Sequence, residues 1–582
     1  MPKINIIKLI CIVAVSIPLA SAQAVRVDIP AVTTVSSTVL PNRLPNPPPY
    51  APILAVPYAQ IQLFGYPANA NPPTNYATTY TDATAATACV NPMQVVIAGT
   101  NVCTGFSDGQ GNAGFWLLPG NYNYTETVNG IVYGPFPITA GLAVNGSPIN
   151  ATSYGADPSG TRDSTAAINL AFASSTVVMV PPGNYLINGA VVQPGGSELI
   201  LYPGTYTLGN LGQFAQPTSG AKLFCPGGPE NTFISVPSTY AVTTGVVYMT
   251  AIEPSGTVEG CQIQFAQPDT SVRANLTHYA AYAVSAVNQP RAQIRNVKIA
   301  GAWNGIDFSQ NSGGSMVDGL KMSSFNIGIN IDGAQDSMRI NDFHWFPFEL
   351  TTNQQTAFFD VANIGIKSGR CDDIHITNSL FIGGQAINLY SSSLGTTYGS
   401  ITATGFDTFS GIAMSAGTMT VNGGYFSLGT GAGIAIKQTG GTILLSAVQF
   451  GITFTGVPPI QISGNATRFS LTGSYINTGI NDLTAVSIVG GSGGPTVIMN
   501  GDQFIRGPDL GYTHPTITVT GAGRLMLTNN YFTDKGAGTA QALTMDTDSW
   551  SDLADNMLLG WSITVPGTIT QLYIHNNWAQ GP

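Results

Sequence analysis

Two short hydrophobic patterns alternate along the second half of the chain. The first is a four-residue unit, small-apolar-polar-apolar with occasional lapses. It appears as Gly305-Ile306-Asp307-Phe308, Gly328-Ile329-Asn330-Ile331, Gly365-Ile366-Lys367-Ser368, Ala386-Ile387-Asn388-Leu389, Gly411-Ile412-Ala413-Met414 and Gly433-Ile434-Ala435-Ile436. Later copies begin at Pro459, Ala485, Thr516 and Ala542, and most starts lie 21 to 26 residues apart. The second unit has six residues and reads inward, outward, bend, inward, outward, inward. Its copies are Ile294-Arg295-Asn296-Val297-Lys298-Ile299, Val317-Asp318-Gly319-Leu320-Lys321-Met322, Ile340-Asn341-Asp342-Phe343-His344-Trp345 and Cys371-Asp372-Asp373-Ile374-His375-Ile376, with late copies at Leu527 and Ile569. Period-two patterning in repeats of this length predicts a solenoid of stacked strands, because one coil cannot bury its own apolar face.

The two units predict two short strands per coil and a corner. The bend position is often Asn, Asp or Gly, residues that tolerate left-handed backbone. Ile306, Ile329, Ile366, Ile387, Ile412 and Ile434 are expected to stack inward. Outward position five gives a column of Lys298, Lys321, His344 and His375; position two gives Arg295, Asp318, Asn341 and Asp372. Asp342 and Asp373 fall at the same bend position in successive copies.

Composition agrees with a tight β solenoid. The chain is 43% apolar and only 8% charged, with 68 glycines among 582 residues, enough apolar content to fill a core. The net charge of -10 argues against a nucleic-acid partner. Residues 1–24 read as a secretory signal peptide, with Lys3 and Lys8 before the apolar stretch from Leu9 to Leu19. No later segment is long and apolar enough to span a bilayer, so a secreted or cell-surface protein is expected. Export permits disulfides. Cys89 and Cys103 are the expected pair, Cys225 and Cys261 a second, and Cys371, at an inward position, is expected to be a buried free thiol.

Residues 25–50 are rich in proline and read as an extended linker. Strand-like runs follow over 51–142. Within them, Ser107-Asp108-Gly109-Gln110-Gly111-Asn112-Ala113-Gly114-Phe115-Trp116-Leu117-Leu118-Pro119-Gly120-Asn121-Tyr122 reads as turn, strand, Pro-Gly turn, strand. This run resembles the small β-sandwich modules of the carboxypeptidase-regulatory-like class, which implies a spacer or adhesion unit.

At 154–169 the chain reads Tyr154-Gly155-Ala156-Asp157-Pro158-Ser159-Gly160-Thr161-Arg162-Asp163-Ser164-Thr165-Ala166-Ala167-Ile168-Asn169, and then Val180-Pro181-Pro182-Gly183-Asn184-Tyr185. Asp163 or Ser164 can cap a short helix that carries Ala167, Ile168 and Phe172 on one face, and such a helix would cover the open end of a solenoid. The run resembles the opening of the pectate-lyase superfamily, shared by rhamnogalacturonases, some glucanases and phage tailspikes. The resemblance implies an all-β protein in which 147–582 form a right-handed parallel β-helix behind a small N-terminal β-sandwich. It also implies polysaccharide as the partner, and makes Asp157 and Asp163 structural. Of the motifs that polygalacturonases carry, Asp372-Asp373 resembles one.

Charge is concentrated. Residues 291–375 hold 16 of the 48 charged side chains, whereas 376–500 hold only Asp407, Lys437, Arg468 and Asp482. Coils stack at about 4.8 Å, so carboxyls one or two coils apart suit the roughly 5 to 9.5 Å separations of glycosidases. The leading expectation is therefore an exported glycoside hydrolase of an acidic or pectin-like glycan. Asp342, Asp372 and Asp373 would act as acid and base, with His344 and His375 as proton partners. Lys298 and Lys321 would bind substrate carboxylates, and Arg295, Arg370 and Trp345 complete the candidate substrate-binding set. The segment Phe346 to Gly365 is expected to leave the solenoid and wall a groove, with Phe348, Phe358 and Phe359 offered to sugar rings. Hydrolysis needs no cofactor. One alternative is a lyase in which Asp side chains hold Ca²⁺ and Arg370 or Lys367 abstracts a proton. The other is a non-catalytic, tailspike-like glycan-binding or adhesion protein, whose charge-poor coils would also suit an oligomer interface.

Overall fold

In the computed structural model, residues 148–580 are described apart from short internal stretches, the longest being 507–513 and 565–571. In the N-terminal part the described residues are the strands Val25–Pro30, Val32–Thr34, Ile53–Ala55, Gln60–Gly65, Asn112–Leu117, Gly120–Val128 and Ile131–Ala140. The expected signal peptide, most of the expected linker, and Cys89 and Cys103 lie outside the described residues. Val25–Pro30 pairs antiparallel with Asn112–Leu117, and Val32–Thr34 with Ile53–Ala55. The start of the stretch read as a linker is therefore strand. Gly120–Val128 lies between Gln60–Gly65 and Ile131–Ala140 in a third, separate antiparallel sheet.

From Ile149 onward, the described residues contain 43 strands in one continuous ladder, and most of them pair with the third strand along the chain. The pairing is parallel throughout: Val177–Val180 with Glu198–Leu201, Gly183–Ile187 with Gly204–Leu208, and Ala190–Val192 with Gln213–Gln216. These three ladders begin sheets 1, 2 and 3 of a parallel β-helix. Each coil thus has three strands, one more than the pattern predicted. The difference lies in the six-residue unit. Its first two residues lie in sheet 1 and its last two in sheet 2, with the bend as the corner between them. The four-residue unit is sheet 3.

The corner is a column of left-handed residues. Asn296, Gly319, Asp342, Asn378, Ala403 and Gly423 all have φ between 47° and 69°. Only short polar side chains or glycine adopt this region cheaply, which is why the bend is legible in the sequence. Inward positions pack in columns. Ile306, Ile329, Ile366, Ile387 and Ile412 are fully buried and paired in register. In sheet 2 the rings of Phe381, Phe406, Phe426 and Phe450 stack at 5.5, 4.4 and 5.0 Å. Each fully buried side chain of this size contributes roughly 1.5–3 kcal/mol.

Three register expectations are corrected. Ile436, not Ile434, continues the isoleucine column, since Ile412 pairs with Ile436 and Ser410 with Ile434. The run Gly433-Ile434-Ala435-Ile436 offers two small-apolar pairs two residues apart, and a two-residue slip keeps the face, so alternation alone cannot choose. The copy read at Cys371 is displaced by five residues. Ile340 and Asn341 pair with Ile376 and Thr377, and His344 and Trp345 with Leu380 and Phe381. Asp342 therefore shares its bend position with Asn378 and not with Asp373. The copy read at Ile569 is displaced in the same way, because Leu553 pairs with Ile574 and the corner is Asn576.

The first coil is closed as expected. Helix α1 (Thr165–Ser174) buries Ala167, Ile168, Ala171 and Phe172, and Asp163 Oδ1 accepts from Thr165 N at 3.0 Å. Asp157 accepts from Ser159, Thr161 and the Arg162 amide. The Ser159 hydroxyl foremost, with these other donors, holds its carboxyl well below the usual range. Both carboxylates are structural. Cys225 and Cys261 form a disulfide across adjacent coils, and Cys371 is a buried free thiol whose pKa burial pushes up to about 12. A 36-residue separation leads us to expect that Cys225→Ala/Cys261→Ala loses about 4 kcal/mol in urea melts; an unchanged midpoint would contradict this. Among the described residues, no helix is long and apolar enough to cross a membrane.

Candidate functional site

The five-residue slip takes apart the expected carboxyl cluster. Asp373 faces Ser337 of the neighbouring coil, five residues before Asp342 on strand Ala334–Trp345. That is roughly 16 Å along an extended strand, beyond the spacing of a glycosidase pair. What the sequence does bring together is two separate Asp-His pairs, each two residues apart on one strand. Asp342 lies 3.2 Å from His344. Asp373 Oδ2 lies 2.8 Å from His375 Nε2, and Ser400 Oγ lies 2.9 Å from Nδ1 of that ring. His375 stacks on Arg339 and not on His344. Asp372 is held by Arg370, with Nε to Oδ1 at 3.0 Å, so each occupies the other. Arg295 stands in the outer column of sheet 1 between Glu259 and Asp318.

Two expected substrate ligands are enclosed. Trp345 is fully buried, its ring 5.0 Å from that of Phe358, because position six of its unit points into the core. Lys298 was expected outward, and it does leave the core, but it is only 5% exposed. Its ammonium is taken by Glu230 Oε2 at 2.9 Å and by Glu349 Oε1, and it lies 5.1 Å from the Phe348 ring. Gln262 also donates to Glu349. A buried ammonium persists only with such partners. Lys321, next in the same column, is exposed. Sequence reasoning missed the two glutamates. Glu230 sits in a turn outside both repeats and Glu349 in a segment with no period. Their rarity was the available signal, since the chain has only six glutamates. Glu198 and Glu259 likewise flank Lys222, at 3.4 and 3.0 Å.

The segment after Trp345 does leave the solenoid. It forms helix α2 (Thr352–Phe358), opened by a capping box between Thr351 and Gln354. Phe358 turns into the core and is fully buried, which removes it from the expected aromatic wall. Phe359 stays outside, 6.0 Å from the Phe409 ring. Beyond this wall an open groove of about 590 Å³ runs over the outer face of sheet 3. Gln385, Asn388, Phe409, Ser410, Lys437 and Thr439 are among its lining, with Val361 from the end of the inserted segment. One outward column crosses it: Asp307, Asn330, Lys367, Asn388, Ala413 and Lys437, each in the next coil. Asn330 donates to Asp307 at 2.9 Å, and the Lys367 ammonium lies 5.2 Å from the Tyr390 ring. Asp407 lies on strand Gly405–Met414, two residues before Phe409, and partial burial raises its pKa. Among the described residues, no group of three or more His, Cys, Asp or Glu side chains is placed to hold a metal ion.

No curated protein matches the chain. Among solved structures, the catalytic unit of the thermostable GH87 α-1,3-glucanase from Streptomyces thermodiastaticus strain HF3-3 is 12% identical, covering 90% of each chain at a TM-score of 0.35. The A-module of the Azotobacter vinelandii mannuronan C-5 epimerase AlgE4 is 12% identical over 74% of this chain and 100% of its own, at 0.37. PfbA, a surface adhesin of Streptococcus pneumoniae, is 13% identical over 70% and 92%, at 0.29. Across residues 148–368 the chain is similar to the family described as rhamnogalacturonase A/epimerase, pectate lyase-like.

Proposed function

We propose that the chain is a carbohydrate-active protein that takes an extended acidic polysaccharide into the groove on sheet 3. The lining of that groove carries the reading. It offers amides and hydroxyls from Gln385, Asn388, Ser410 and Thr439, an aromatic ring from Phe409 and a cation from Lys437, and no carboxylate. Planar rings, fixed amides and a lysine are the groups that hold a sugar bearing a carboxylate. The similarity of residues 148–368 to a family named for a rhamnogalacturonase and an epimerase supports the substrate class.

Hydrolysis is the chemistry we assign first, with Asp407 as general acid. Its strand also supplies Phe409 and Ser410 to the groove, and partial desolvation shifts the Asp407 pKa upward, the direction that role requires. The second reading is binding without cleavage. It is favoured by the lack of a paired carboxylate in the lining, since glycosidases use two. An exported protein suits either reading. The test uses polygalacturonate and alginate with the parent, Lys437→Ala and Asp407→Asn. Saturated products, with a loss of about 100-fold or more in Asp407→Asn, support the hydrolase. Unsaturated ends select a lyase. Retention without cleavage, weakened in Lys437→Ala, supports binding alone. The absence of both retention and cleavage would overturn the proposal.

A further inference from the structure

A second surface, on sheet 2, has a pattern that the groove does not explain. Its outward column over the late coils reads Tyr425, Gln449, Tyr475, Gln503, Tyr531, one residue per coil in unbroken parallel register. Met557 and Trp578 continue the same column. The alternation has no structural cause in the core, since the inward neighbours are Phe426, Phe450, Ile476, Phe504 and Phe532. Tyr425 is 44% exposed and Trp578 52%, and both glutamines are exposed. The position before Tyr425 in the column is Gly405. A side chain there would meet Cε1, Cζ and Oη of Tyr425 at 2.8 to 2.9 Å. The ring therefore lies flat over the bare backbone of the preceding coil, with its other face to solvent. The column carries no charge, so a polyanion, a basic peptide or nucleic acid has nothing to pair with.

We infer that this strip binds an extended, uncharged polysaccharide lying parallel to the helix axis. Coils advance by about 4.8 Å, close to the length of one pyranose in an extended chain. Tyrosines two coils apart would then meet every second sugar with an apolar face, and the glutamines between them would hydrogen-bond the hydroxyls of the alternate sugars. From Tyr425 to Trp578 the strip spans six steps, about 29 Å. It lies on a different sheet from the groove, so the inference stands whether or not the groove takes an acidic glycan.

The test is electrophoretic retardation of the full chain in native gels containing hydroxyethylcellulose, glucomannan or xylan. The parent should be retarded in at least one of them. Tyr425→Ala/Tyr475→Ala/Tyr531→Ala should weaken retardation at least about 10-fold, with an unchanged melting midpoint. Tyr475→Phe should bind as the parent does, because stacking needs the ring and not the hydroxyl. Gln449→Ala/Gln503→Ala, which removes no ring, should also weaken it and serves if the triple variant does not fold. A parent that migrates freely in all three gels, or ring-less variants retarded like the parent, would overturn the inference. So would sedimentation showing that the parent is an oligomer and the triple variant a monomer, since the strip would then bind a second copy of this chain.

Discussion

Ile412→Asp is expected to unfold the β-helix. Ile412 is fully buried, with Ile387 one coil before it and Ile436 one coil after it in the same inward column. A carboxylate there would face only apolar side chains of its own and adjacent coils. Burying it uncompensated costs several kcal/mol or more, comparable with the whole stability of an ordinary domain. Because every coil rests on its neighbours, the defect cannot be confined to one strand. The variant should appear as aggregated or protease-sensitive protein, without the β circular dichroism of the parent. Ile412→Val, which removes one methylene, should remain folded at a cost of about 1 kcal/mol. If Ile412→Asp melts cooperatively near the parent's midpoint, the inward column has been misassigned.

The inward columns were legible because burial on a strand is written as alternation, and alternation survives without knowledge of the partner strand. Register between coils was less legible, and the errors have one form. Cys371-Asp372-Asp373-Ile374-His375-Ile376 has apolar residues at all three inward places, whereas the true copy, Ile376-Thr377-Asn378-Ser379-Leu380-Phe381, puts Ser379 at the fourth place and Leu380 at the outward fifth. The left-handed corner falls at Asn378, with φ 50°. Asp373 is also a turn-forming residue type, so composition at the bend could not separate them. The site was hardly legible. Asp342, His344, Asp373 and His375 are near in sequence, and the structure keeps them near in pairs, but a site is made by contacts between coils. Gln385, Ser410, Lys437 and Phe409 come together only because sheet 3 stacks them beside the wall ended by Val361. Of these only Lys437, one of four charged residues in 376–500, stands out in the sequence. Lys298 shows the opposite case: its outward position was legible, yet Glu230 and Glu349 close over it from outside the repeat.

Asp502→Asn is expected to stabilise the late coils, and by more as the pH rises. Asp502 is fully buried in an internal ladder of short polar side chains. Its Oδ1 accepts from Ser474 N at 2.8 Å, and its own amide donates to Asn530 Oδ1 at 2.9 Å. The ladder continues through Asn556 and Asn577, each accepting from the amide of the coil before. The asparagines also donate. Nδ2 of Asn530, Asn556 and Asn577 reaches the carbonyl of Met499, Leu527 and Leu553. The equivalent carbonyl for residue 502 is that of Leu471, which pairs with Met499. A carboxylate cannot make that bond, and Asp502 Oδ2 has no hydrogen-bond partner. Burial raises its pKa to about 7 from an ordinary 3.8. Below the ordinary value both folded and unfolded chains hold the proton, and Asp502 costs nothing. Between the two values the unfolded chain releases it while the folded chain keeps it, so stability falls as pH rises. Above about 7 the penalty is complete, on the order of 4 kcal/mol for a shift of this size. Urea melts at pH 4 and pH 8 should therefore give nearly equal stabilities for parent and variant at the lower pH, and a variant more stable by roughly that amount at the higher. A variant no more stable than the parent at pH 8 would mean that the Asp502 carboxylate is solvated or paired, and that the ladder tolerates a charge at this rung.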